Sequence, residues 1–228
     1  MQRISIFDMD RTITRGGTYS QWLMHWIRNR APHRAVLLPA TGVAGLAYLS
    51  RAVGRARLKE LNQALLMGRR VDAARAEEEA ERFAEIIVPE HCFPAAIERI
   101  KAERAEGRRV MLATASYAFY VRPIARRLRA EDVIATEVER DEAGRLLAKI
   151  DGENCYGPAK LRKIEAYFEE RGIDRDATWA AHRRGHMSPY DLGVLRTVVC
   201  GGTWTQDRLQ RCGVVQSGSC PYCGSGEL

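Results

Sequence analysis

The stretch Ile4-Ser5-Ile6-Phe7-Asp8-Met9-Asp10-Arg11-Thr12-Ile13-Thr14 runs apolar from Ile4 to Phe7 and then stops at two aspartates one residue apart. A buried parallel strand reads this way when it delivers charged groups to its C-terminal end, and that end is where open α/β sheets carry their chemistry. Side chains two residues apart on a strand point the same way. Asp8 and Asp10 are therefore close enough to share a divalent cation, or to divide the roles of nucleophile and proton donor. The plain alternative is a strand running into an acidic turn.

Working outward, Tyr19, Trp22, Leu23, Trp26 and Ile27, and later Leu58, Leu61, Leu65 and Leu66, recur at helical spacing. They predict a helical insertion between the first and second strands. Inside it, Ala35 to Ser50 carries no charge. The segment is too short to span a bilayer and is interrupted by Pro39, Gly42 and Gly45. It reads either as a buried hairpin or as an interfacial patch for a lipid-like substrate or membrane surface. Asp72 to Glu85, with charges paired at i and i+4, reads as a solvated helix. A helix over Phe93 to Arg104 leads into a second core strand from Arg109 to Ser116, ending in Thr114 and Ser116, with helix from Tyr117. Val133 to Val138 and Leu146 to Ile150 flank the turn Asp141-Glu142-Ala143-Gly144, the pattern of a hairpin. Beyond it, Gly157-Pro158 opens a helix with Lys160 in its first turn, where a positive helix end calls for an anion or a carboxylate nearby.

The run Phe7-Asp8-Met9-Asp10-Arg11-Thr12 resembles the first motif of the haloacid dehalogenase superfamily, in particular its phosphoserine-phosphatase-like branch, with Arg11 where Gly is usual. The resemblance implies an α/β fold, a doubly wound Rossmann-like parallel sheet with a helical cap inserted after the first strand. It assigns residues 1–17 and 91–200 to the core and 18–90 to the cap, leaving 201–228 as a Gly/Cys-rich tail. It also implies a magnesium-dependent phosphatase acting on a small, phosphoserine-like phosphate ester through an aspartyl-phosphate. Asp8 is then the nucleophile, Asp10 the acid and base, and Thr12 a phosphate contact. Thr114 takes the second motif's phosphoryl-holding position ahead of Ser116, and Lys160 the third motif's neutralising lysine. The metal falls to Asp8, Asp10 and Asp191.

The fourth motif should be a strand ending in an Asp, with a second Asp four residues on. Thr178 to Leu192 supplies only Asp191, and four residues before it stands Met187, which does not bind a hard cation. Composition changes here as well: after residue 178 there is no lysine, and Glu occurs only at 227. The alternative function is accordingly an impaired, phosphatase-like anion-binding protein with a diverged or frameshifted C-terminus. Cys200, Cys212, Cys220 and Cys223 leave zinc, a redox dithiol and incidental thiols all open.

A chain of 228 residues with formal charge +7 can bury a sizeable core and favours anionic ligands. Its arginines are spread along helices rather than clustered with aromatics, so nucleic acid is not expected. No leader pattern precedes Asp8, and a cytoplasmic location is expected.

Overall fold

The computed structural model describes residues 4–173, 178–181 and 187–189. In chain order these form β1 (Ile4–Phe7), α1 (Thr18–Arg30), a 3₁₀ turn (Pro32–Leu37), α2 (Leu38–Leu49), α3 (Arg55–Leu66), β2 (Arg70–Val71) and α4 (Ala73–His91). They continue with α5 (Pro94–Ala105), β3 (Arg109–Tyr117), α6 (Ala118–Leu128), β4 (Asp132–Arg140), β5 (Leu146–Asp151), α7 (Pro158–Arg171), β6 (Thr178–Ala181) and β7 (Met187–Pro189). The sheet order is β2-β5-β4-β3-β1-β6-β7. β4, β3, β1 and β6 run parallel, with the antiparallel strands at the two edges.

Both faces of the parallel core are covered, which makes the fold doubly wound. Along β3, Val110 and Leu112 point into one apolar cluster with residues of α1, α4, α5 and α6. The alternate residues Met111 and Ala113 join Ile4, Ile6, Ile164 and Phe168 in a second cluster under α7. Period-two alternation between two dry faces explains why β1 and β3 read as continuous apolar runs.

The segment between β1 and β3 is helical, as expected, but its packing differs from the sequence reading in two places. α4 is not a solvated helix. Ala76, Ala80, Phe83, Ala84 and Ile87 are buried along one face of it, and it packs against α6. Glu79 is also buried, with His25 Nε2 at 2.8 Å and Arg30 Nε at 2.6 Å. Small alanines at core positions disguise the apolar face among flanking charges. Trp22 seals the junction: its ring lies 5.3–5.4 Å from those of Phe83, Phe119 and Tyr120, which ties α1, α4 and α6 together.

The second place is Ala35 to Ser50, for which the sequence leaves a buried hairpin and an interfacial patch both open; the buried hairpin is not formed. The segment forms the 3₁₀ turn and α2, and on α2 only Ala44 is buried. No helix among the described residues is long and apolar enough to cross a membrane. The hairpin expected from Gly144 is present as β4 and β5, with Gly144 at φ 75° in the turn. β6 stands beside β1 with Ala181 level with Phe7, so the strand of the fourth motif is in place. Asp191 and the four terminal cysteines lie outside the described residues.

The α4 packing is testable by urea unfolding. Phe83→Ala should cost about 3–5 kcal/mol as a large buried truncation, whereas Glu78→Ala, one turn away on the exposed side, should stay within about 0.5 kcal/mol of the parent.

Candidate active site

Three elements converge at the C-terminal edge of the parallel strands. β1 carries Asp8 just beyond its last residue, and α7 brings Lys160 in its first turn. The Nζ of Lys160 donates to Oδ1 of Asp8 at 2.9 Å, and the lysine side chain is only 3 % exposed. Burying a charged ammonium is costly, and a partner anion offsets that cost. The Gly157-Pro158 start of the helix, with Gly157 at φ 58°, sets its direction.

β3 supplies the third element. Its register puts Leu112 level with Phe7, so it overhangs β1 by five residues and runs alongside the turn that holds Asp10. Between Ala113 and Tyr117 its pairing with β4 is bulged, a device that re-aims side chains beside active sites. Inside the bulge, Ser116 N–H donates to Thr114 Oγ1 at 3.2 Å, and the Ser116 hydroxyl donates to Asp10 Oδ2 at 2.9 Å. The other Asp10 oxygen, Oδ1, accepts from both the backbone N–H and the hydroxyl of Thr18, each at 2.8 Å. Thr18 is the first residue of α1, and its N-cap Gly17 offers no side chain, so Asp10 caps that helix from eight residues upstream.

Asp10 is thus oriented by three hydrogen bonds. Burial nevertheless pushes its carboxyl above the usual carboxylate range, and the charge of Asp8 adds to the rise, outweighing the donors. Two neighbouring carboxylates therefore sit in different environments, Asp8 paired with a cation and Asp10 buried, with its carboxyl raised. The turn between them is tight: Met9 O accepts from the N–H groups of Thr12, Ile13 and Thr14. Arg11 lies in it at φ 64°. That left-handed conformation costs a non-glycine residue about 1–2 kcal/mol, which explains why Gly is usual at this position of the motif.

The structure brings together Asp8, Asp10 and Lys160 among the residues singled out from sequence. Thr114 is fully buried behind Ser116, and the hydroxyl that reaches Asp10 belongs to Ser116. Thr12 Oγ1 is buried without a hydrogen-bond partner. For magnesium, the donors here are of the right kind, hard oxygens from the Asp8 carboxylate and the Asp10 backbone carbonyl. The Asp10 side chain is committed to Thr18 and Ser116. Among the described residues no group of three or more His, Cys, Asp or Glu converges. The residues present fit the metal in donor chemistry and supply only part of its shell.

Sequence reasoning missed Thr18 and Lys59. Lys59 comes from α3 and is buried. Its ammonium donates to the carbonyl of Ala115, inside the bulge, and to Asn154 Oδ1 at 3.3 Å. It also lies 3.9 Å from the centre of the Tyr117 ring. Thr136 Oγ1 donates to the same Ala115 carbonyl at 2.8 Å. Tyr19 OH donates to the Lys59 carbonyl at 2.6 Å, so at this one residue α3 is tied to α1 through its backbone and to β3 through its ammonium. The only trace in the sequence is a lysine on the apolar side of a helix, at 59 between Leu58 and Leu66.

Comparison with known proteins agrees with this geometry. The family model for haloacid dehalogenase-like hydrolases matches residues 6–181, ending at the last residue of β6. Over 163 residues the chain is 30 % identical to protein CicA of Caulobacter vibrioides, covering 71 % of each. A structure of a protein of unknown function from Bordetella pertussis Tohama I superimposes with TM-score 0.69 at 20 % identity, over 79 % of this chain and 81 % of that one. A phosphoserine phosphatase, solved as a phospho-aspartyl intermediate analogue, does so with TM-score 0.51 at 18 % identity, over 78 % and 77 %. The chain belongs to the haloacid dehalogenase-like hydrolases, and its fold is that of their phosphoserine-phosphatase-like branch.

Burial pushes the Lys59 ammonium down to about 7, with the charge of Asp10 opposing the shift. Between about pH 7 and the ordinary lysine value the unfolded chain then holds more protons than the folded one, so this group makes stability rise with pH across that window. From pH 7 to 9 the parent should gain on the order of 2 kcal/mol over Lys59→Met in urea unfolding. Parallel pH profiles for the two proteins would refute the assignment.

Proposed function

We propose that the protein is a phosphomonoester hydrolase working through an aspartyl-phosphate on Asp8. The observation that carries this reading is the pairing of a lysine-neutralised Asp8 with a buried Asp10 held by three hydrogen bonds, its carboxyl raised by burial. Such a pair fits one carboxylate attacking phosphorus while the other gives a proton to the departing oxygen.

In the first step an Asp8 oxygen forms a bond to phosphorus as the ester P–O bond breaks. The proton on Asp10 goes to the leaving alcohol oxygen. Asp10, now a carboxylate, then takes a proton from water, whose oxygen attacks the phosphorus. Phosphate leaves and both aspartates are restored. Lys160 neutralises charge on Asp8 and on the phosphoryl oxygens, while Thr18 and Ser116 keep Asp10 aimed. The orphaned hydroxyl of Thr12 suits a phosphate oxygen, and Thr114 supports the bulge from behind. Magnesium, held by Asp8 and the Asp10 carbonyl with Asp191 as a further acid, would supply positive charge to the phosphoryl group.

We assign substrate choice to residues 18–90 acting as a cap over this edge of the sheet, with a small phosphate ester of the phosphoserine kind as substrate. The fold shared with phosphoserine phosphatase supports that class. Cys92 and Cys155 are buried free thiols, which suits a reducing, cytoplasmic setting. The departure of the Met187 to Asp191 region from the fourth motif favours a second reading, an anion-binding protein with little turnover.

A panel of phosphate esters assayed with magnesium and with a chelator separates the two. Hydrolysis should require magnesium. Asp10→Asn should lower kcat by about 10²–10⁴-fold and let a phosphorylated protein be trapped by acid quench, whereas Asp8→Asn should give neither turnover nor phosphoprotein. Phosphate binding with no hydrolysis of any ester would favour the second reading.

A further inference from the structure

From Arg11 to Lys59 the chain has eight arginines and one lysine, and neither an aspartate nor a glutamate. Every acid except Asp8 and Asp10 comes after Lys59. Within this acid-free stretch lies the uncharged α2, and the structure shows which way its apolar residues face. Val43, Leu46 and Leu49 are 67, 67 and 75 % exposed, and Val36 in the preceding 3₁₀ turn is 78 % exposed. The other exposed large apolar side chains among the described residues, Ile86 and Phe93, reach only 39 and 37 %. Successive spacings of three residues put Val43, Leu46 and Leu49 on one stripe of the helix.

The surroundings of the stripe are mainly basic. His33 precedes it, Arg51 follows Leu49 by two residues, and Arg55 and Arg57 open α3; all four are exposed. Arg55 stacks on Tyr156, with 4.1 Å from its guanidinium carbon to the ring centre, and Arg57 shares Glu60 at 3.2 Å. Arg51 takes part in no ion pair among the described residues. Elsewhere many surface arginines are tied up with acids, as in Arg126 with Glu81, Arg127 with Glu85 and Arg140 with Glu77.

We infer that α2 and its basic rim are a docking face for an anionic lipid bilayer. An apolar stripe bordered by arginines suits the boundary between headgroups and acyl chains, where the arginines meet lipid phosphates. Twelve residues of helix are about 18 Å long, too short to span a bilayer, so α2 lies in the membrane plane. Charge also weighs against a second copy of this chain as the occupant, because an isologous contact would set one net basic rim against another. The inference is independent of the catalytic reading, since it concerns binding and needs no turnover.

The test is flotation of the full chain with vesicles of phosphatidylcholine alone and of phosphatidylcholine mixed with phosphatidylglycerol. The protein should float with the mixed vesicles and stay behind with the neutral ones, and added salt should weaken the association. Val43→Glu with Leu46→Glu should lower vesicle affinity by about tenfold or more, and Arg51→Glu alone by about fivefold. All these positions are exposed, so the variants should keep the parent's circular dichroism and melting temperature, which separates lost docking from lost folding. The inference is overturned if the parent ignores anionic vesicles, or if it floats equally with both kinds and Arg51→Glu changes nothing. It is equally overturned if the parent is a dimer that Val43→Glu with Leu46→Glu dissociates while vesicles have no effect.

Discussion

A parallel sheet that is dry on both faces can carry charge only at its ends, and the Asp8–Lys160 ion pair is where this protein does so. Lys160 is almost fully buried, and an ammonium removed from water without an anion would lose its charge or unfold its surroundings. Asp8 at the end of β1 supplies the anion at 2.9 Å. The pair joins the first strand to the helix that begins 150 residues later, and so holds α7 over the second apolar face. A bridge of this kind adds little net stability, because desolvation offsets the attraction. Its effect is positional: the chain has one arrangement in which both charges are satisfied.

Asp10 is handled differently, and the contrast creates the chemistry. It has no cation among its hydrogen-bond partners, only Thr18 and Ser116, and burial works against its ionised form. Those same bonds cap α1 and anchor the bulge of β3, so the groups that orient the acid also start the inserted helices. Lys59 extends this coupling by fastening α3 to the Ala115 carbonyl that the bulge leaves out of the ladder. Movement of the insertion therefore has a direct mechanical path to the residues around Asp10. The physical elements of that path are a charged hydrogen bond, an aromatic face and one irregular strand.

The insertion itself has two sides of different character. Trp22 and α4 bind it to the core through an aromatic cluster and buried alanines. α2, on the other side, keeps an apolar stripe in solvent, and with the preceding 3₁₀ turn it exposes four large side chains. Charge segregation accompanies that split: the acids that neutralise the arginines of α4 and α6 are missing from the first fifty-nine residues, Asp8 and Asp10 apart.

The sequence by itself determined those features that depend on short-range pattern. Apolar runs ending in Asp8 and Thr114 marked β1 and β3, Gly144 marked the hairpin turn, and Gly157-Pro158 marked the start of α7 with Lys160 in its first turn. Each follows from backbone conformation or strand and helix periodicity, which are written locally. Tertiary structure decided what depends on which surfaces meet. Alanines made α4 look solvated because burial of a small side chain depends on the neighbour that covers it, here α6. Uncharged residues left α2 open to a buried or an interfacial reading because an apolar run does not state whether a partner exists. That the Ser116 hydroxyl reaches Asp10 depends on a bulge between β3 and β4, a mismatch of two strands that neither strand carries alone. Lys59 and Thr18 became visible only when α3 and α1 were set against the end of β3, since a buried lysine and a capped helix are defined by atoms distant in the chain.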